Sequence, residues 1–163
     1  MVKIKQAVFD TGPLIHLQEI QQFSLMNLFE QILTTPEIIE EWNNFVNIPN
    51  MLVQKLTAAN KDFAKYIIEK YGLHLGEATG ISLCRQEKIP LFFTDDLDAK
   101  ETTHFLGFEA HGTLAILLRS LREKILTKQQ AIDLIEALYM QSSLFFTEEL
   151  KEWTITEIKK FKD

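Results

Sequence analysis

Acidic residues follow two short apolar segments of this chain, and they are its clearest candidates for chemistry. The segment IKQAVF is followed by Asp10, and the segment LFFT is followed by Asp95 and Asp96. Segments of this length and composition predict buried strands. Carboxylates at such positions are often turn residues or helix caps. Alternatively, neighbouring parallel strands gather them at one edge of a sheet, where ligands of open α/β sheets bind.

Glutamates on two predicted helices extend this set. Glu77 shares one helix stripe with Ile81 and Cys84, because the three are spaced i, i+4, i+7. A carboxylate at the end of a buried stripe needs a cation, a donor or water. The alternative is a solvated glutamate in the first helical turn, which the helix dipole favours. Glu41 borders the apolar side of a helix that starts at Thr35-Pro36, and alone it carries little weight.

The elements that must position these residues alternate between short apolar strands and helices, which predicts an α/β domain with a mainly parallel sheet. Residues 43–56 are predicted to be a loose stretch without a regular element. Strands are expected at about 4–10, 32–33, 91–94 and 108–110. Helices are expected at about 13–17, 23–29, 36–42, 58–70, 76–87, 97–106, 114–121, 128–140 and 147–161. Asp95 and either Thr11 or Gly12 are expected to cap helices.

Composition narrows the class of protein. With 163 residues, 46% hydrophobic and 25% charged, the chain is typical of one globular domain over residues 1–163, with C-terminal helices from about 128. No apolar run suggests a membrane span or a signal peptide. A net charge of -6 argues against a non-specific nucleic-acid coat but not against a metal-dependent enzyme. The single cysteine, Cys84, fits a reducing cytoplasm. The histidines, His16 included, lack mutual metal-ligand spacing, so surface or helix-end positions are expected.

Five motifs, taken together, resemble the PIN-domain ribonuclease family and specifically its VapC-like branch. They cover residues 7–118 in the family's order, and the C-terminal helices match only loosely. The motifs are VFDTGPLIHL, TPEIIEE, LGEATGISL, FFTDDLDAK and GTLAILL. The resemblance implies a three-layer fold, with a central parallel sheet of about four or five strands flanked by helices.

The activity that this resemblance implies is metal-dependent hydrolysis of RNA phosphodiester bonds, leaving 5′-phosphate and 3′-hydroxyl ends. The family's four acids fall on Asp10, Glu41, Glu77 and Asp96, with Glu40 as an alternative to Glu41. Asp10, Glu77 and Asp96 are the expected ligands of Mg²⁺ or Mn²⁺, which prefer hard oxygen donors.

Other matched positions receive supporting roles from the resemblance. Asp98 is a further acid on the metal side, and Asp95 takes the variable position of the Thr-x-Asp motif. Thr11 and Thr94 match small or hydroxyl residues beside the site, and Lys100 stands where close relatives often carry Arg. These last three residues are expected to contact substrate.

Partners follow from the same resemblance. Proteins of this kind are often toxins of bacterial toxin–antitoxin pairs and often dimerise, so RNA, an antitoxin protein and a second copy of the chain are the implied partners. A catalytically silent PIN-like module that binds RNA or protein is the competing function. Another α/β enzyme that uses an acidic metal site on phosphate esters, such as a DNA nuclease, is a third.

Overall fold

The protein is built on a five-stranded sheet in which every pairing is parallel. The computed structural model describes residues 1–44 and 46–162. The strand order is β3-β2-β1-β4-β5, which places β1 at the centre. This confirms the predicted α/β class and the predicted parallel sheet. The strands are β1 (Ile4–Phe9), β2 (Phe29–Thr34), β3 (Met51–Val53), β4 (Leu91–Phe93) and β5 (Glu109–His111).

Helices connect the strands and complete the chain. A 3-10 helix, Phe23–Leu28, lies before β2, and the C-terminal pair begins at Lys128, as predicted. None of the helices within residues 1–44 and 46–162 is long and apolar enough to cross a membrane. The α-helices are α1 (Thr11–Glu19), α2 (Pro36–Trp42), α3 (Ala58–Tyr71), α4 (Leu75–Glu87), α5 (Leu97–Phe105), α6 (Thr113–Arg122), α7 (Lys128–Gln141) and α8 (Glu148–Lys160).

One strand was missed by the sequence analysis. The loose stretch expected at 43–56 contains β3, which pairs with β2 from Ile32↔Met51 to Thr34↔Val53. Its residues are half-buried or exposed, so it lacks the alternation by which a strand is recognised. The prediction of a single domain over residues 1–163 stays a prediction, and Asp163 lies outside the described residues.

Hydrophobic side chains cover both faces of the sheet. Val8 and Phe92 belong to a cluster formed with α3, α4 and α5, whereas Phe9 and Phe93 belong to a cluster formed with α1, α6, α7 and α8. Successive residues of a strand alternate between faces. The side chains of consecutive residues at the end of a strand therefore point to opposite faces of the sheet. This alternation determines on which face the acids after β1 and β4 lie.

The carboxyl ends of β1 and β4 are adjacent. Phe9 pairs with Phe93, and the backbone N–H of Asp10 donates to the Phe93 carbonyl at 2.9 Å. Helix α1 begins at once after β1, and α5 begins shortly after β4. Asp10 and residues 94–96 thus lie together at one edge of the sheet. The N-termini of α1 and α5 lie at the same edge.

Candidate active site

Asp10 is the buried centre of the site. Asp10 is only 5% exposed to solvent. The Thr11 N–H donates to Oδ1 at 2.8 Å, and the Thr94 hydroxyl donates to Oδ2 at 2.8 Å. Burial raises the pKa of Asp10 to about 6; these hydrogen bonds oppose the rise, and the negative charges of Glu77 and Glu41 add to it. A cation would stabilise the ionised form of such a carboxylate.

Glu77 lies in the first turn of α4, facing the same cleft. Its Oε2 accepts from the His74 N–H at 2.8 Å, so the side chain also caps the helix. Burial raises the pKa of this half-buried glutamate, the His74 hydrogen bond opposes the rise, and the charges of Asp96 and Glu41 add to it. Glu77 thus lies in the first turn, as the alternative expected, but it is half-buried and accepts from a backbone donor. Its role toward a cation stays a prediction.

Glu41 reaches this cleft from the end of α2. A Cβ added at Gly76 would collide with Oε2 of Glu41, so the carboxylate lies directly over the glycine in the first turn of α4. Its charge contributes to the raised pKa of both Asp10 and Glu77. Of the two alternatives for this position, Glu41 rather than Glu40 is the residue that the fold brings to the other acids.

Asp96 completes the set from the start of α5. Its Oδ1 accepts from the Ala99 N–H at 2.8 Å, which makes Asp96 the N-cap of that helix. The expectation that Asp95 caps α5 is therefore wrong. Similarly, Asp10 caps α1, in place of the expected Thr11 or Gly12. Asp96 is exposed, and its charge raises the pKa of Glu77.

Asp95 turns to the opposite layer, which holds α1 and α6. Its Oδ2 lies 2.6 Å from Nδ1 of His16, and its Oδ1 accepts from the Thr113 N–H at 2.7 Å. The Thr113 hydroxyl also donates to Oδ2, at 2.5 Å. Burial acts to raise the pKa of Asp95, but the hydrogen bonds from His16 and Thr113 outweigh it and hold the pKa below its usual value. Asp95 thus joins two helices.

His16 lies in the last turn of α1, which agrees with the helix-end position expected as one alternative for the histidines. The surface alternative is wrong, because His16 is only 9% exposed and its ring lies against Asp95. Nothing local in the sequence pairs these residues, which are 79 positions apart. The nearest signal is that both stand in motifs of the resemblance, VFDTGPLIHL and FFTDDLDAK.

Asp98 lies in the first turn of α5, with an exposed side chain. It lines a pocket with Tyr71 and Phe105, between α5 and the end of α3. The negative charges that raise the pKa of Glu77 come from Asp96 and Glu41. The structure therefore gives Asp98 different neighbours from the four acids described above.

The residues expected to contact substrate have distinct surroundings. Thr11 and Thr94 are buried, and Thr94 donates its hydroxyl to Asp10. The Lys100 ammonium lies beside Gly112, at the start of α6, where a Cβ on that glycine would approach it to 2.9 Å. This places Lys100 in a groove with Asp95, on the α6 side of the sheet.

We call Asp10, Glu41, Glu77 and Asp96 the acidic cleft. Carboxylate oxygens are the ligands that Mg²⁺ and Mn²⁺ prefer, and the charge coupling among these acids is what a divalent cation would relieve. As placed, no group of three or more His, Cys, Asp or Glu within the described residues is arranged to hold a metal ion. Glu41 and Asp96 are exposed and Glu77 is half-buried, so a cation in solvent can reach their carboxylates. The donor set therefore fits a hard cation in type and charge.

Comparison with known families now decides the fold family. A family model described as a PIN domain matches residues 6–160. The chain belongs to the PIN-domain family. The match extends through α7 and α8, which the sequence motifs covered only loosely. No curated protein and no solved structure gives a significant match. PIN domains are generally nucleases that typically use divalent metals, so this PIN domain has a nuclease-type fold.

Proposed function

We propose that this protein is a Mg²⁺- or Mn²⁺-dependent endoribonuclease of the VapC-like branch of PIN domains. One observation carries the proposal: a buried Asp10 of raised pKa stands at the joined ends of β1 and β4 and is electrostatically coupled to Glu77 and Glu41. Asp96 is coupled to the same set through Glu77. A buried acid of raised pKa, standing with other acids at the carboxyl edge of a parallel sheet, is typical of a functional site.

The acids would divide the work of holding the ion. Asp10, Glu77 and Asp96 are the proposed ligands, and Asp98 is a less favoured candidate because it faces another pocket. The ion would lower the pKa of a bound water and offset charge on the scissile phosphate. Hydrogen bonds hold two of these carboxylates in position: the Thr94 hydroxyl donates to Asp10, and the His74 N–H donates to Glu77.

Glu41, the remaining acid of the cleft, is a proposed partner of the attacking water. Glu41 keeps both oxygens free of hydrogen bonds to other described residues, and its carboxylate lies beside the first turn of α4. Either Glu41 or Glu77 would orient the attacking water and accept its proton, which requires a carboxylate within hydrogen-bond reach. Attack at phosphorus with departure of the 3′ oxygen would leave 5′-phosphate and 3′-hydroxyl ends.

The proposed biological setting follows the VapC-like branch. RNA is the substrate, an antitoxin protein and a second copy of the chain are the proposed partners, and the cytoplasm is the proposed compartment. Thr11, Thr94 and Lys100 are the proposed substrate-side residues. The buried Thr94 would act there through Asp10, whereas Lys100 would bind a phosphate from the neighbouring groove.

A catalytically silent RNA- or protein-binding module is the second candidate function. It is favoured by the position of Lys100, whose ammonium lies beside Gly112 rather than within the acidic cleft. A silent module would keep the fold and the acids without binding Mn²⁺ productively, so metal binding separates the two functions.

The experiment compares purified wild type with Asp10→Asn, Asp96→Asn and the control Asp133→Asn, an exposed acid on α7. Mn²⁺ binding is measured by calorimetry, and RNA cleavage by mapping the ends of the products. We expect metal-dependent cleavage by wild type and Asp133→Asn, and at least a hundredfold loss in the other two. Full cleavage by Asp10→Asn, or cleavage by wild type in excess chelator, would overturn the proposal. Absence of Mn²⁺ binding at millimolar metal would favour the silent module.

A further inference from the structure

A second pocket opens beside the acidic cleft. It has a volume of about 340 Å³ and lies between α5 and the end of α3. One of the residues that line this pocket is Asp98, which follows Asp96 by two positions at the start of α5. The pocket is therefore a short distance along one helix from a proposed metal ligand. It is lined by Tyr71, Asp98, Glu101, Thr102 and Phe105.

Aromatic rings form one wall of this pocket and continue beyond it. The rings of Tyr71 and Phe105 are 6.0 Å apart, and those of Tyr66 and Tyr71 are 6.5 Å apart. Phe63 stacks on Tyr66 at 6.2 Å. Phe105 is 73% exposed and Tyr66 is 45% exposed, so ring surface faces solvent. We call Phe63, Tyr66, Tyr71 and Phe105 the aromatic row.

Cations accompany the aromatic row. The Lys70 ammonium lies 5.3 Å from the Tyr66 ring centre and 5.4 Å from that of Tyr71, and it donates to the Tyr66 hydroxyl at 2.7 Å. The Arg85 guanidinium lies 4.3 Å from the Phe63 ring centre. Aromatic surface with cations held alongside is what proteins use to bind single-stranded nucleic acid, because bases stack and phosphates are neutralised.

The carboxylates of the pocket add a different kind of recognition. Within residues 1–44 and 46–162, the carboxylates of Asp98 and Glu101 make no hydrogen bond or ion pair. Their oxygens are thus free acceptors beside an exposed ring. A carboxylate accepts readily from base N–H groups. Guanine presents two neighbouring donors, N1–H and N2–H, whereas uracil presents a single N3–H.

We infer that this pocket binds one unpaired nucleobase of an RNA strand, with the base stacked on Phe105 and its N–H groups bound by Asp98 or Glu101. Guanine is the preferred base and uracil the least favoured. The backbone of the strand runs along the aromatic row past Lys70 and Arg85. The inference rests on the proposed ribonuclease function, and it names the part of the substrate that binds next to the acidic cleft.

An RNA strand fits this pocket better than an apolar protein surface would. A protein partner that covered Phe105 would also bury the free carboxylates of Asp98 and Glu101, which is costly unless each receives donors. A base supplies those donors from its own edge. The nearby cations Lys70 and Arg85 match the phosphates that the same strand carries.

The test measures binding without cleavage. The host is Asp10→Asn, and wild type in EDTA repeats the titration without that substitution. Fluorescein-labelled hexanucleotides, all uridine or uridine with one central guanosine, are titrated by anisotropy. We expect the guanosine to tighten binding about tenfold. In the same host, Asp98→Asn with Glu101→Gln should abolish this preference, and Phe105→Ala should weaken binding of both strands about tenfold. The control Met140→Ala removes an apolar side chain that is 72% exposed on α7 and should change neither.

The outcomes separate this inference from the proposed function. Guanosine preference that survives loss of both carboxylates, unchanged binding by Phe105→Ala, or no binding of either strand would overturn the nucleobase site. Metal-dependent cleavage by wild type together with any of these results would leave the ribonuclease standing. Preference that depends on Asp98 and Glu101 in a protein that never cleaves RNA would support the nucleobase site and reject the ribonuclease.

Discussion

The hydroxyl of Thr94 donates to Oδ2 of Asp10 at 2.8 Å and so ties the end of β4 to the end of β1. The hydroxyl oxygen of Thr94 also accepts from the Asp96 N–H, at 3.3 Å. Thr94 is fully buried. One side chain thus fixes both the buried acid of the cleft and the turn that presents the exposed one.

Thr94→Val should weaken metal binding while keeping the shape of the side chain. Without this hydrogen bond, which lowers the pKa of Asp10, that pKa should rise further and a larger fraction of the carboxylate should be protonated near neutral pH. We expect Mn²⁺ affinity and RNA cleavage to fall about tenfold. Calorimetry and cleavage rates measure this, with Thr94→Ser as the control that keeps the hydroxyl. Equal values for the two variants would argue against this role of Thr94.

Asp95→Asn and Asp96→Asn should separate folding from chemistry, although the two residues are neighbours. The Asp95 side chain is 9% exposed against His16, so losing its charge should cost about 2 kcal/mol of unfolding free energy. Asn is as good an N-cap as Asp, so Asp96→Asn should change stability by less than about 0.5 kcal/mol and yet abolish cleavage. Urea unfolding in EDTA and cleavage with Mn²⁺ measure the two effects. If Asp95→Asn kept its stability and Asp96→Asn kept its cleavage activity, the structural role of Asp95 and the catalytic role of Asp96 would both be wrong.

Much of the fold could be predicted because local signals mark its elements. Thr35-Pro36 indicated the start of α2, and the helix expected at about 58–70 ends close to a left-handed Gly72, with φ +71° after α3. The strands β1 and β4 were recognisable because apolar runs end at acids. Strand β3 was not, because its pairing with β2 rather than its own pattern makes it a strand.

Residue type and spacing alone could not separate the acids after β4, and only the resemblance assigned Asp96 rather than Asp95 to the metal. Asp95 and Asp96 have the same chemistry and adjacent positions, and their roles differ only because they leave the strand toward different layers. The partners that fix Asp95, namely His16 and Thr113, are 79 and 18 residues away. Only the packing of α1 and α6 on the sheet brings them together, so the cap was assigned to the wrong residue.

Gly76→Ala should impair the acidic cleft without destabilising the fold. A Cβ there would displace the carboxylate of Glu41, which is the end of a flexible and exposed side chain. We expect stability to be kept or raised by up to about 1 kcal/mol, since Ala favours helix over Gly, and cleavage to fall severalfold. Thermal unfolding and cleavage rates measure the two effects.

Gly80→Ala is the matched comparison on the same helix. Its Cβ would come within 2.6 Å of the ring of Phe92, which is 0% exposed in the core. Overpacking of this kind costs about 1–3 kcal/mol, so this variant should lose stability. An equal loss of stability in the two variants would mean that Glu41 does not move aside for the new Cβ at Gly76.

The metal-free protein should lose stability as pH rises from about 4 to about 7. Burial raises the pKa of Asp10 from its usual 3.8 to about 6, so the folded state binds a proton more tightly than the unfolded chain. This stabilisation is full below the unfolded pKa and is lost as pH rises through the folded one. A shift of about 2 units corresponds to about 3 kcal/mol. The raised pKa of Glu77 acts in the same direction.

Urea unfolding of wild type and Asp10→Asn in EDTA, between about pH 4.5 and pH 7.5, measures this loss as the difference between the two proteins. The lowered pKa of Asp95 has the opposite sign, and its stabilisation is lost only as pH falls below the usual range of an aspartate, outside this window. Millimolar Mn²⁺ should restore stability near pH 7 in wild type but not in Asp10→Asn, because the ion binds the ionised cleft of the folded state alone. A pH-independent difference between the two proteins would show that Asp10 titrates normally and that the acidic cleft does not raise its pKa.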